Sequence, residues 1–191
     1  SDDGTQFVVH SNRRNGRDMD ILVGDVRKAD SLRTVLETKG EYWQAQDWSP
    51  DGTKLLVSRY VSINEGYPAL LDVASGKLAP LPLPADGKAA VGSLAFTADG
   101  SAALMTTNAR GEFLQLFRLD LKTQQFTPLV SDLTWDIDGL KVDPASGRIA
   151  FTANEDGASG LYVLEAGKHR RLDVPLGTIL GIDFSPDGKQ L

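Results

Sequence analysis

Few residues in this chain could carry covalent or acid–base chemistry. Among 191 residues there are two histidines, His10 and His169, and no cysteine. Thiolate nucleophiles, disulfides and thiolate metal sites are therefore excluded. Acyl transfer by serine needs a histidine steered by a carboxylate and a serine on a sharp turn, commonly Gly-x-Ser-x-Gly. The nearest stretch is Gly157-Ala158-Ser159-Gly160, where the second glycine comes one place early. It falls between two strand-like runs, so Ser159 reads as a loop residue. His10 lies in an apolar run and His169 in the basic stretch Lys168-His169-Arg170-Arg171; both read as core or surface side chains. Carboxylates group at Asp18 with Asp20, Asp136 with Asp138, and Glu155 with Asp156. A calcium loop needs more oxygen ligands at defined spacing, and two histidines without cysteine make a poor zinc set. No glycine-rich phosphate or dinucleotide loop is present. The expectation is a chain with no catalytic residue, no metal and no cofactor.

Composition narrows the partners. A net charge of −6 argues against nucleic acid, which is usually met by a basic face. No apolar run approaches the roughly 18 residues of a spanning helix, so membrane insertion is not expected. Ser1-Asp2-Asp3-Gly4 is not a signal peptide, and the compartment stays open between bacterial cytoplasm and periplasm.

The elements that position these residues are set by a repeat. A tight corner recurs as Ser1-Asp2-Asp3-Gly4, Ser49-Pro50-Asp51-Gly52, Thr97-Ala98-Asp99-Gly100, Asp143-Pro144-Ala145-Ser146-Gly147 and Ser185-Pro186-Asp187-Gly188, with glycines spaced 48, 48, 47 and 41 apart. Proline presets the first corner, aspartate supplies local hydrogen bonds, and glycine takes the left-handed position. Short apolar runs follow, among them Leu55-Leu56-Val57 and Ala103-Leu104-Met105. A third strand, a turn and a short fourth strand complete each unit, and no window shows a helical period. Four short strands per unit predict an all-β chain, a β-propeller of four-stranded antiparallel blades. The expected divisions are a partial blade at 1–43, blades at about 44–91, 92–133 and 134–178, and a partial blade at 179–191. The expectation is a partial propeller of about four repeats; the alternative is a four-bladed ring closed by a strand at 179–184. Trp48 fills the place that Phe96, Val142 and Phe184 fill in other units, and is expected in the core.

The blocks Trp48-Ser49-Pro50-Asp51-Gly52 and Phe184-Ser185-Pro186-Asp187-Gly188 resemble the WD-like repeat found in TolB-like periplasmic propellers and in the propellers of prolyl oligopeptidase family serine peptidases. The loops Ser11–Ile21 and Ser62–Tyr67 resemble those of bacterial members of the peptidase family. Ala98 and Asp2 stand where proline is usual, and the fourth corner has an inserted residue. The resemblance implies the N-terminal propeller of a serine peptidase of about seven or eight blades. Its partners would be a C-terminal α/β-hydrolase domain, absent from this chain, and a peptide substrate. The alternative is a TolB-like interaction propeller without enzyme activity.

Strand direction alternates within a blade, so the loop from second to third strand and the link to the next blade open away from the Asp-Gly corners. Loops on a rigid scaffold commonly carry binding residues. The candidate contact residues are Arg13, Arg14, Arg17, Arg59, Asn64, Glu65 and Tyr67. Trp43, Arg110, Glu112, Trp135, Asp136 and Glu155 are expected at the same end of their units.

Overall fold

The computed structural model describes every residue except Asp2 and Pro186, so the second positions of the first and fifth corners lie outside the described residues. Fifteen strands are present and, among the described residues, no helix. The chain divides into two compact units, Ser1–Leu83 and Pro84–Leu191.

The first unit holds two sheets. One contains β1 (Gln6–Ser11), β2 (Asp20–Asp25) and β3 (Arg33–Leu36); the other contains β4 (Tyr42–Trp48), β5 (Lys54–Ser62), β6 (Glu65–Asp72) and β7 (Leu78–Pro80). The second unit holds β8 (Val91–Phe96), β9 (Ala102–Thr107), β10 (Gln115–Asp120) and β11 (Phe126–Val130) in one sheet. Its other sheet contains β12 (Ile137–Val142), β13 (Ile149–Glu155), β14 (Ala158–Glu165) and β15 (Lys168–Leu172). Every sheet is an antiparallel meander in chain order. This is the fold class the corners predict.

Each unit is held by the core between its two sheets. Ile21, Val23 and Val35 pack with Trp48, Leu55, Val57 and Leu71 in the first unit. Leu104, Leu116 and Val130 pack with Ile137, Leu140, Phe151 and Tyr162 in the second. Full burial of one such side chain stabilises by about 1.5–3 kcal/mol. Strand β9 is buried along its whole length, so its sequence reads as an unbroken small-apolar run rather than an alternation.

The corners close as their composition requires. In the second, Gly52 donates its N–H to Ser49 O at 2.8 Å with φ at +67°, a conformation that costs a side-chain-bearing residue about 1–2 kcal/mol. Asp51 Oδ1 accepts from Ser49 Oγ at 2.6 Å, Thr53 N at 3.0 Å and Thr53 Oγ1 at 2.7 Å. The third corner repeats this with Asp99, Thr97 and Ser101, and Ala98 in place of proline leaves Gly100 at φ +68°. The fourth corner is one residue longer, with Gly147 donating to Asp143 O at 2.8 Å. Its buried Asp143 accepts from Ala145 N, Ser146 Oγ and Arg148. Hydroxyl donors first, then backbone N–H groups, hold the Asp51 and Asp99 carboxyls at about 2.

One expected strand is not formed. Residues 179–184 carry the pattern of a first strand, and the corner that follows is built, with Gly188 N donating to Ser185 O at 2.8 Å. No strand follows Leu172 among the described residues. A strand needs a ladder partner; among the described residues, the backbone bond returned after Gly188 is the one Gln190 O accepts from Ser185 N at 2.9 Å.

His10 is a strand residue with a structural task. Six places after Gly4, it corresponds to Ser58 and Thr106 after Gly52 and Gly100. Its Nε2 accepts the N–H of Ala45 at 3.0 Å, tying β1 to β4. Burial depresses its basicity.

Two pH effects follow. The corner carboxyls ionise more readily folded than unfolded, so their stabilisation is complete above the ordinary value of 3.8 and is lost as pH falls toward about 2. Chemical denaturation of D51N/D99N between pH 5 and 2 should show a flatter acid limb than the parent chain, and the substitutions should each cost about 1 kcal/mol at neutral pH. For His10, protonation at Nε2 removes the acceptor. Its stabilisation is present above the ordinary value of 6.5 and is lost as pH falls below it. H10Q should lower stability at pH 7.5 and abolish that part of the decline toward pH 5.

Candidate functional site

The seven candidate contact residues lie in the first unit and separate into two groups. Arg13, Arg14 and Arg17 belong to the loop between β1 and β2; Arg59, Asn64, Glu65 and Tyr67 belong to β5, β6 and their turn.

Arg14 is committed to the scaffold. Its Nε meets Asp20 Oδ2 at 2.7 Å, and its Nη2 meets Asp20 Oδ1 at 3.1 Å, Asp18 Oδ2 at 3.2 Å and Thr38 O at 2.7 Å. Asp20 is 1% exposed and also accepts Thr38 N at 2.9 Å. Asp18 accepts Gly40 N at 3.2 Å. The two carboxylates, which the sequence offers only as a pair, thus clamp the link between β3 and β4. Arg14 holds the Asp20 carboxyl below the usual range, against the opposing effect of burial. Arg13 donates to Leu32 O at 3.1 Å from an exposed position, and Arg17 is exposed with its N–H on Asn15 Oδ1 at 3.0 Å.

The second group converges. Trp43, Arg59 and Tyr67 are cross-strand neighbours on β4, β5 and β6 and therefore share one face. Glu41 gathers them: its Oε2 accepts Trp43 Nε1 at 2.9 Å and its Oε1 accepts Arg59 Nη1. The guanidinium carbon lies 4.6 Å from the Tyr67 ring centroid, in the range of a cation–π contact. Tyr67 donates its hydroxyl to Glu65 at 2.5 Å. Arg59 Nε is buried with no acceptor among the described residues. The Trp43 and Arg59 donors hold Glu41 below the usual carboxylate range. Asn64 sits in the β5–β6 turn with its N–H on Ser62 Oγ at 3.2 Å. On the same strands and their turn, Tyr42, Tyr60, Val61 and Ile63 are 45%, 52%, 49% and 78% exposed; Tyr42 and Tyr60 pair with each other one place along from Trp43 and Arg59 and so lie on the opposite face. Glu41 and these exposed apolar side chains were not foreseen. Glu41 follows Gly40 in a link with no periodicity, and an exposed Tyr or Val on a strand reads as core by type alone.

In the second unit, Ser159 lies on β14 rather than in a loop. Its Oγ accepts Ile179 N at 2.9 Å and its N–H donates to Gly177 O at 2.8 Å. No histidine is among these partners. Glu155 accepts from the Tyr162 hydroxyl and from Arg171 Nη2 at 3.0 Å; a Cβ at Gly160 would collide with that carboxylate. Tyr162 stacks on Phe151 at 5.0 Å, with His169 edge-on at 5.9 Å. Arg110 donates to Pro84 O at 2.8 Å, and Asp136 accepts Leu114 N at 2.7 Å. Among the described residues no group of three or more potential metal ligands occurs.

No family model matches the sequence, and no curated protein matches it. Solved structures do resemble it. TolB from Acinetobacter baumannii aligns with TM-score 0.77 at 18% identity over 98% of this chain and 45% of that one. A prolyl endopeptidase aligns with TM-score 0.72 at 14% identity, over 95% of this chain and 28% of that one. Prolyl oligopeptidase B from Galerina marginata, bound to a 35mer hydrolysis and macrocyclization substrate, gives 0.68 at 14% over 89% and 26%. The fold is a partial β-propeller. It is of the kind that TolB and prolyl oligopeptidases share, and the chain spans less than half the length of these three proteins.

Loss of the Arg14 clamp should be visible locally. Asp20→Ala leaves the Arg14 guanidinium and the buried Thr38 N–H without their acceptor, at a cost of about 2 kcal/mol. Amide hydrogen exchange should accelerate at Thr38 and Gly40 far more than in β5.

Proposed function

We propose that this chain is the non-catalytic β-propeller portion of a prolyl oligopeptidase-like serine peptidase. In this reading it contacts peptide above an α/β-hydrolase domain that lies outside the chain. The observation that carries the reading is the Glu41–Trp43–Arg59–Tyr67–Glu65 row. Aromatic faces, a guanidinium and two carboxylates stand together on one face of the sheet. Arginine, tyrosine and tryptophan are favoured anchors for polypeptide recognition. A buried Nε without a protein acceptor suits a carbonyl oxygen supplied by a bound backbone. Similarity to a peptidase whose propeller belongs to a substrate-bound structure supports the same reading.

A second reading, a TolB-like interaction propeller with no enzyme attached, is favoured by the higher structural similarity to TolB and the fuller alignment of this chain with it. Both readings use the same row to hold polypeptide. They part on the coding sequence beyond Leu191, where a Gly-x-Ser-x-Gly elbow between strand and helix signals the peptidase.

Fluorescence anisotropy with labelled proline-containing peptides tests the shared claim. The chain should bind them without cleaving them, and R59A and Y67A should each weaken binding by about tenfold, the loss of roughly 1.4 kcal/mol. Binding indifferent to both substitutions contradicts the site, and peptide hydrolysis that co-purifies with the chain contradicts its non-catalytic character.

A further inference from the structure

The last strand of each sheet, β3, β7, β11 or β15, forms one of its edges, and an open edge invites another chain to pair. Three of these edges are blunted by sequence. β7 and β11 contain Pro80 and Pro128, which have no N–H to offer. β3 has four residues and meets β2 with a break in register. β15 has five residues, no proline and an unbroken register with β14. What guards it is charge: Lys168, His169, Arg170 and Arg171 follow one another in a chain whose net charge is −6.

The hairpin before β15 fixes which of its backbone groups are free. Ala166 and Gly167 have φ at +49° and +75°, the two positive values of a type I′ turn. Such a turn makes its flanking residues, Glu165 and Lys168, a hydrogen-bonded pair, and alternation makes Val163 and Arg170 the next. The N–H and C=O groups of His169 and Arg171 therefore point away from β14. Among the described residues, no backbone bond from outside the sheet reaches them.

Side chains divide between the two faces. On one, Arg171 is held by Glu155 at 3.0 Å and His169 Nε2 lies 3.8 Å from Asp132. On the other, Lys168 and Arg170 are exposed, and neither has a hydrogen bond or ion pair among the described residues. Glu165 stands opposite Lys168, and the apolar Val163 opposite Arg170. A strand added antiparallel to this edge would bond to His169 and Arg171. Its residues opposite Lys168 and Arg170 would then form the non-hydrogen-bonded pairs, where side chains are closest and Cα atoms lie about 4.5 Å apart. Acidic residues at those places are attracted by both cations, and basic ones are repelled.

We infer that the outer edge of β15 captures an extended acidic segment of another protein by strand addition, with carboxylates at alternate positions opposite Arg170 and Lys168. The site lies in the second unit and shares no residue with the row from Glu41 to Tyr67, so either can fail without the other.

Anisotropy with a fluorescein-labelled heptapeptide alternating valine and glutamate tests it. The peptide should bind about tenfold more tightly than a version with lysine for glutamate, and K168E/R170E should reverse that order; circular dichroism confirms that the variant keeps its sheets. N-methylation of the valines, whose N–H groups would meet the carbonyls of His169 and Arg171, should abolish binding, whereas N-methylation of the glutamates should not. Equal affinity for acidic and basic peptides, a preference unchanged by K168E/R170E, or tolerance of valine N-methylation overturns the inference. So does failure to bind any of the peptides, which leaves these cations only the task of blunting the edge.

Discussion

A carboxylate saturated by its own turn starts the second strand of every sheet. At Asp51 one oxygen receives two hydroxyls and a backbone N–H, so the three residues around it have a single low-energy arrangement. The glycine that follows can then reverse the chain with φ near +67°. This local closure sets the register of the pair it joins: Trp48 opposite Leu55 in one sheet, Phe96 opposite Ala103 in another. Because side chains alternate with a period of two, a register slip at the corner would turn Leu55 and Val57 out of the core. The hydrophobic clusters of both units are thus downstream of a polar interaction a few residues long.

The opposite end of each sheet works by different rules. There the connections are longer and are fixed by contacts distant in sequence. Arg14 and Asp20 hold Thr38, Asp136 holds Leu114, and Ser159 holds Ile179. In each case a polar side chain satisfies a backbone group of an irregular segment that has no ladder to join. Charged loop residues are consumed in this way before any are left to meet a ligand. That separates Arg14, whose donors are spent on Asp18, Asp20 and Thr38, from Arg59, whose buried Nε has no acceptor among the described residues.

This contrast explains what could be read from the residues alone. Corners, strand count and the core place of Trp48 were legible because they rest on neighbours within about six positions or on strict repetition. Arg59, Glu65 and Tyr67 were legible as a group because β5 and β6 are joined by a short turn. The task of Arg14 was not, since its partners come from β2 and from the link at Thr38. Glu41 was hidden for the same reason: its value depends on Trp43 and Arg59 arriving from two strands. The strand expected at 179–184 failed differently. Its residue pattern is correct, but pattern gives only the wish to pair, and a ladder also needs a partner.

Comparing equivalent positions between repeats separates architecture from use. Ser58, Thr106 and Thr152 occupy one place on their second strands. Thr106 and Thr152 take the N–H that a bulge leaves unpaired, while Ser58 receives the Gln46 amide. His10 in the first sheet accepts Ala45 N instead. A hydrogen-bond acceptor is what this place demands, and residue type changes only within that demand. The bulge beside it differs between sheets: at Gly92 a Cβ would lie 2.5 Å from Thr106 Oγ1, whereas in the fourth sheet it is Gly139 that meets Thr152 Oγ1, at 2.6 Å. The aspartates of the corners, by contrast, are accounted for by the donors of their own turns.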